Sequence, residues 1–399
     1  MNMQKLAQRL NRISESNTLK MAKLSRELAA TGVDVISLSL GEPDFQTPQH
    51  IKDAAKKALD DGYTFYTPVV GFLDLREAIS AKFKRDNGLD YSPNQIVVST
   101  GAKQSIINTF LAILNPGDEV IVPTPYWVSY SEMIKIAEGV PVLVNANVES
   151  DYKINAAQLE KAITSKSKAF IFSSPCNPTG SVYSKDELYA LAKVFEKHPE
   201  IFILSDEIYE HINFTGKHES IAQFDFIKDR VITINGVSKS FAMTGWRIGY
   251  IGATKEIAAA CEKIQGQFTS GTNSIAQKAA IAALSGDMTP TKEMAKAFLR
   301  RRDLVLDLLK NIPGIKTNTP GGAFYVFPDV SYYFGKSDGK IKIKNAEDLC
   351  MYFLNTAHVA LVDGDSFGAP ECIRISYATS DEKLKEAMKR IKVALEKLV

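Results

Sequence analysis

The sequence predicts an α/β fold: a large domain with a mostly parallel sheet between helices, joined to a smaller α+β domain. Three observations predict it. Short, β-branched apolar runs alternate with helix-like segments from about residue 48 to 285, the pattern of strands buried on both faces. Residues 95–127 read as one compact βαβ unit. After Asp287 the alternation gives way to charged helices and short strands. At 399 residues the chain exceeds one compact core and suits two domains. Their expected bounds are 46–287 for the large domain, with 1–45 and 288–399 supplying an N-terminal arm and the small domain.

The opening MNMQKLAQRLNRISESN is mildly amphipathic and has no acid before Glu15, so a short targeting helix is one reading. With no signal-peptide apolar core, it reads better as an arm. A helix from Leu19 to Ala30 stops at Gly32. The strand-like VISLSL then enters the turn Gly41-Glu42-Pro43-Asp44, where backbone can approach a ligand closely. Residues 48–61 read as a helix opening at Pro48, and another helix starts near Leu73 after an aromatic loop broken by Pro and Gly.

Ile96–Ser99 is an expected strand, and Gly101-Ala102-Lys103 opens a helix whose Ile106, Ile107, Phe110, Leu111 and Leu114 share a face. Free N–H groups and the helix dipole make such a start suited to an anion. Neither GxGxxG nor GxxxxGK[ST] occurs, so dinucleotide and P-loop readings lose their support. One further strand ends at Pro125-Tyr126-Trp127, and AFIFSSPCNPTG is another, its turn presenting Asn177. Beyond Lys239 come two helical stretches rich in small residues. A helix from Pro290 to Asn311 follows, then short strands in GGAFYVFPDV, VALVDG and CIRISYA, and an amphipathic helix from Asp381.

Composition excludes several classes. Charged residues are 24% and the net charge is +2, which gives no reason to expect nucleic acid or an anionic membrane as partner. No apolar run approaches the ~18 residues that span a bilayer. The four cysteines are far apart and form no CxxC, so reduced thiols in the cytoplasm and no zinc site are expected. The five histidines show no ligand spacing, and no metal is expected; His211, nearest the candidate site, reads as a packing residue.

The chemistry concentrates between Ile201 and Gly249. One apolar run, Ile201–Leu204, delivers Asp206 and then Tyr209. A second, Val231–Ile234, delivers Ser238 and Lys239, and Arg247 follows eight residues after Lys239. In open α/β sheets, ligands sit beyond the carboxyl ends of such strands. A carboxylate, a phenol, an amine and a guanidinium there suit a cofactor with a basic ring, a phenolic oxygen, a carbonyl and a phosphate. Pyridoxal 5'-phosphate fits that description. Taken singly, each residue has an ordinary reading: a solvated lysine, a helix-capping aspartate, a packed tyrosine.

GEPDF, SSPCNPTG, SDEIYE, NGVSKSFAMTGWRIGY and CIRISYA resemble, in order and spacing, the class I aminotransferases of PLP fold type I, nearest their bacterial and archaeal aspartate aminotransferase branch. The resemblance runs from about Ser16 to the C-terminus. It implies that Lys239 bonds the cofactor aldehyde and then moves the substrate proton, that Asp206 pairs with the ring nitrogen, and that Tyr209 and Asn177 donate to the phenolic oxygen. It implies a phosphate site from Arg247, Ser238 and the N–H groups of Ala102 and Lys103, with Trp127 stacked on the ring. Tyr66 is implied to reach the phosphate of a neighbouring subunit, making a homodimer with shared active sites. Arg374 would bind the substrate α-carboxylate beside the Gly41 backbone, Trp127 and Asn177, and Lys103 the distal carboxylate, while Ser16 and Thr18 close over the substrate.

The implied activity is transfer of the amino group of aspartate to 2-oxoglutarate by a ping-pong route. Aromatic, alanine or prephenate specificity and C–S lyase chemistry are the alternatives within this scaffold. A ligand-sensing role in a transcription regulator would call for a DNA-binding part with a basic region, which the sequence does not display.

Overall fold

Alternation along the buried strands sets the architecture of the computed structural model, which describes residues 6–399; residues 1–5 of the expected arm lie outside the described residues. A helix α1 (Asn17–Ala30) and a two-residue strand β1 (Ile36–Ser37) precede the helices α2 (Gln49–Asp60) and α3 (Leu73–Lys82). The βα alternation then runs β2 (Ile96–Ser99), α4 (Ala102–Ile113), β3 (Glu119–Thr124), α5 (Ser129–Ile136), β4 (Val140–Asn145), α6 (Ala156–Ala162), β5 (Ser167–Ser173), α7 (Lys185–Glu196) and β6 (Phe202–Asp206). Next come β7 (Val231–Gly236), β8 (Gly249–Gly252), α8 (Lys255–Phe268) and α9 (Ser274–Ser285). The remainder is α10 (Thr289–Leu309), β9 (Tyr325–Val326), α11 (Ala346–Tyr352), β10 (Val359–Ala360), β11 (Val362–Asp363), β12 (Ile373–Ser376) and α12 (Asp381–Leu395).

Seven strands form one sheet in the order β2-β8-β7-β6-β5-β3-β4. All neighbours are parallel except β8, which runs antiparallel to both β2 and β7. Because β8 is reversed, β2 points the same way as the other strands, and the start of α4 lands at the same end as Asp206. Successive side chains leave a strand on opposite faces. Ile96, Val98, Ile121, Phe170, Phe172 and Ile203 therefore enter one core with α3, α6, α7 and α9. Val97, Val120, Val122, Ala169, Ile171 and Leu204 enter the other, with α4, α5 and α8. This two-sided burial is why the strands read as unbroken apolar runs.

A third core gathers Ile36 and Leu38 with residues of α10, α11, α12 and the short strands β9, β10 and β12. Its strands pair as β1 with β10 and, antiparallel, as β11-β12-β9. Ile208, Tyr209 and Ile212, just past β6, also enter this core, so the segment after Asp206 is wedged between the main sheet and the C-terminal unit. Three expected bounds shift. Pro48 caps α2 from outside rather than opening it, α1 starts two residues before Leu19, and α10 ends at Leu309.

Where β8 begins, backbone crowds backbone. A Cβ on Gly249 would collide with the Ala102 nitrogen and the Gly101 carbonyl carbon. Glycine here lets the start of α4 sit against the sheet. We expect Gly249→Ala to cost about 1–3 kcal/mol, measured by urea denaturation, and to weaken anion binding at that helix start as measured by inorganic phosphate titration.

Candidate active site

One cavity of about 340 Å³ lies beyond the carboxyl ends of the parallel strands, and it collects nearly all of the expected side chains. Ser16, Thr18, Gly41, Ala102, Lys103, Trp127, Asn177, Asp206, Tyr209, Ser238, Lys239, Arg247 and Arg374 line it. Tyr66 does not. Its ring is 99% exposed on the loop between α2 and α3.

Asp206 ends β6 and is buried. Its Oδ2 accepts a hydrogen bond from Tyr130 Oη at 2.6 Å, and its Oδ1 accepts one from the Ile208 N–H at 3.3 Å. Burial pushes its carboxyl up to about 6, and the Tyr130 bond works against that rise. Lys239 follows β7; its Nζ donates to the Gly41 carbonyl at 2.6 Å. Burial brings this amine down to about 8, with Glu42 and Asp206 opposing the fall and Arg374 and Arg247 adding to it. A lysine held near neutrality can lose its proton and act as a nucleophile or base. Tyr209 Oη meets Tyr325 Oη at 2.8 Å, and burial keeps its proton on far above neutral pH, so it remains a donor.

Arg374 on β12 is 2% exposed, the largest charged side chain fully inside the protein. It lies between the rings of Tyr325 and Phe367, 4.7 and 4.9 Å from their centroids. Its Nη2 donates to the Ser39 carbonyl at 2.6 Å and its Nη1 to Asn177 Oδ1 at 2.9 Å. Its buried Nε has no partner among the described residues. Asn177 thus spends its oxygen on Arg374, which fixes the amide so that its NH₂ group is the end left for a ligand.

At the other end of the cavity, α4 starts without a side-chain cap, and the N–H groups of Ala102 and Lys103 have no backbone partner. Gly101, at φ +82°, has its missing Cβ position taken by the Arg247 guanidinium, which donates to the Thr244 carbonyl at 2.9 Å. Arg247 itself sits in the left-handed region at φ +59°, a strained backbone for a non-glycine residue. Unpaired helix N–H groups, a guanidinium and the Ser238 hydroxyl form an anion cradle. Lys103 Nζ lies 4.9 Å from the Trp127 ring centroid, and burial, followed by Arg247, lowers its proton affinity.

Three side chains were missed from sequence. Tyr130 bonds Asp206 directly; it lies in the first turn of α5, three residues after Trp127, which precedes the helix and meets it edge to face at 5.5 Å. Tyr325 lines the cavity from β9 and carried no local signal. Glu42 lines it too and accepts a hydrogen bond from the Thr244 hydroxyl. His211, by contrast, is absent from the lining; it packs near Phe241, and beyond the expected packing its Nε2 faces Glu210 at 3.3 Å and Asp86 at 3.6 Å.

The comparisons with known proteins give the family. Residues 33–391 match the family described as Aminotransferase class I and II. The chain belongs to that family. It is 48% identical over 397 residues to a Petunia hybrida protein named bifunctional aspartate aminotransferase and glutamate/aspartate-prephenate aminotransferase, covering 98% of this chain and 82% of the relative. Among solved structures, the aspartate aminotransferase of Rhizobium meliloti superposes with a TM-score of 0.96 at 44% identity, covering 99% of this chain and 100% of that one. The Thermus thermophilus aspartate aminotransferase with maleate gives 0.92 at 40% identity, covering 98% and 100%. The mostly parallel α/β architecture is that of PLP fold type I.

The raised carboxyl of Asp206 has a measurable consequence. Between pH 4 and 6 the folded chain keeps a proton on Asp206 that the unfolded chain has released, so its contribution to stability falls as pH rises through that window. In protein freed of bound ligand, the Tm of Asp206→Asn minus that of wild type should rise from about pH 4 to about pH 6 and then level off.

Proposed function

We propose that this chain is a pyridoxal 5'-phosphate-dependent aspartate aminotransferase that passes the amino group of L-aspartate to 2-oxoglutarate in two half-reactions. The observation that carries the reading is the convergence of Lys239, Asp206 and Arg374, from three separate strand ends, on one cavity. The residues present fit the cofactor. The anion cradle at Gly101–Lys103 with Ser238 and Arg247 suits its phosphate, Asp206 its ring nitrogen, Tyr209 and the Asn177 amide its phenolic oxygen, and Lys239 its aldehyde. When bound, pyridoxal phosphate supplies an electron sink for the charge left on the substrate carbon.

The protein's own residues do the rest. Lys239, brought down to about 8 by burial, would be the group that takes up and returns the proton of the substrate carbon. Arg374 lines the cavity with Nη1 on Asn177 and Nη2 on Ser39, which fixes the fork that would meet the incoming α-carboxylate. Gly41 is positioned to add backbone contact at that end, and Trp127 to cover the ring face. Lys103 then supplies the cation for a distal carboxylate. Maleate, named with the Thermus relative, is also a four-carbon dicarboxylate. The Petunia relative's name adds prephenate, which keeps that acceptor as the second reading.

The proposal includes a homodimer in which Tyr66, fully solvent-exposed in the single chain, reaches the partner's phosphate site. It also takes 46–287 as the large domain and 1–45 with 288–399 as the arm and small domain. The separate core around α10, α11 and α12 supports that division. Ser16 and Thr18, lining the cavity, would close over the substrate. No described helix is long and apolar enough to cross a membrane, and all four cysteines are free, which suits a reducing cytoplasm.

Purified protein loaded with pyridoxal phosphate should show a pH-dependent visible band that bleaches on addition of aspartate and is missing in Lys239→Ala. A wild type that takes up no cofactor would contradict the reading. Arg374→Lys should lower kcat/KM for aspartate by about 30-fold or more, because a fork-shaped buried donor is lost. Lys103→Met should reduce turnover of aspartate far more than that of alanine; equal losses for both would remove Lys103 from distal-carboxylate recognition.

A further inference from the structure

The segment Asp206–Glu210 has two sides. Asp206 and Tyr209 face the cavity, while Glu207 and Glu210 point the other way into a buried polar cluster that the proposed chemistry does not use. Glu210 pairs with Lys82 at the end of α3, and both side chains are almost wholly buried. Asn87 closes the group: its Oδ1 accepts from Lys82 Nζ at 2.8 Å, and its Nδ2 donates to Glu210 Oε2 at 2.9 Å. Glu207 meets His218 Nε2 at 2.9 Å and accepts from the hydroxyls of Ser205 and Ser220 at 2.8 and 2.6 Å.

The charges are matched. Burial opposes ionisation of Glu210, but Lys82 first, and His211 and His218 after it, hold it well below the usual carboxylate range. Burial likewise opposes the His218 charge, and Glu207 overcomes it and raises its pKa. Asp86 with Arg85 completes the set. The grouping of Glu207, Glu210 and His218 is close enough to hold a metal ion, but the Lys82 ammonium already takes the cation's place against Glu210.

Such a cluster is costly to assemble, because buried ion pairs stabilise little over an apolar replacement. Its location suggests what it does. The residues after Asp206 form a turn outside helix or strand, held by few backbone bonds: Glu207 N–H to the Ile234 carbonyl, Glu210 N–H to Glu207, and Ile212 N–H to Tyr209. Groups that act on a bound ring need placement within about 0.5 Å, and a turn alone does not provide it.

We propose that the Lys82–Glu210 and His218–Glu207 pairs are positioning residues that set the Asp206 carboxylate and the Tyr209 hydroxyl from beneath. The inference rests on the cofactor reading above. Loosening the turn removes hydrogen bonds that favour the unprotonated form of the lysine-bound cofactor, so the pH midpoint of its visible band must rise.

The test is the double variant Lys82→Met with Glu210→Met in the loaded holoenzyme, which removes the pair without leaving a buried charge. A purely structural pair would give wild-type spectra and rates once the fold is restored. We expect instead a midpoint raised by roughly half a unit or more and a kcat lowered about 10- to 100-fold, with KM for aspartate changed less than about twofold. If the double variant yields no holoenzyme, His218→Gln reads the same quantities. A loaded wild type with its band and a variant with wild-type midpoint and kcat would overturn this inference alone. A wild type with no band would overturn the cofactor reading, and this one with it.

Discussion

Everything in the cavity is arranged around a carboxylate placed where water cannot solvate it. Asp206 closes β6 in the middle of the seven-stranded sheet, with strands on both sides. In that environment its charged form is disfavoured, hence the upward shift to about 6. Tyr130 offsets part of this through one short hydrogen bond. The remainder calls for a cation, and a protonated ring nitrogen supplies one in the proposed complex. In that complex, affinity for a basic heterocycle would be the other face of the carboxylate's own unfavourable burial. Lys239 mirrors this: burial makes its charge costly and brings the amine toward the range where it can trade protons.

The substrate end obeys the same logic from the other part of the chain. Arg374 reaches the cavity from β12, wholly buried, with its planar group held between two aromatic rings. Ser39 and Asn177 take two of its donors and come from opposite sides of the site, the strand region before Gly41 and the loop after β5. One guanidinium therefore ties the C-terminal unit to the sheet at the point where the substrate would arrive. With Nη1 and Nη2 both tied to the protein, the plane of the guanidinium is set before any ligand arrives.

What was legible in the sequence follows from range. Lys239, Asp206, Tyr209 and Arg247 lie within 42 consecutive residues, Asp206 to Arg247, where two strands and their turns fix their relation, so type and spacing were enough. The sheet was legible because strands buried on both faces are mostly apolar. The reversal of β8 was not, since four residues, Gly249–Gly252, read alike in either direction. Tyr130 and Tyr325 were missed because their roles exist only after folding: one is a neighbour of Asp206 across 76 positions, the other of Tyr209 across 116. The buried pairs behind the turn were hidden for the same reason, as Lys82 is an ordinary helical lysine until the end of α3 meets the turn after β6.

Specificity in the proposed reaction turns on what Lys103 faces. Burial and the nearby Arg247 lower its proton affinity, so the ammonium is least favourable when nothing anionic lies beside it. A dicarboxylic substrate would bring the missing anion and gain the attraction of a partly dehydrated ion pair. A substrate without a second carboxylate would leave the ammonium with the Trp127 ring, 4.9 Å from its nitrogen, and no anionic partner. Discrimination is the difference between those two arrangements, less the cost of dehydrating the incoming carboxylate. An arginine in that position would offer a planar fork and ask for bidentate geometry. A lysine presents a compact charge on a flexible stem, which asks less of the shape of the group that meets it.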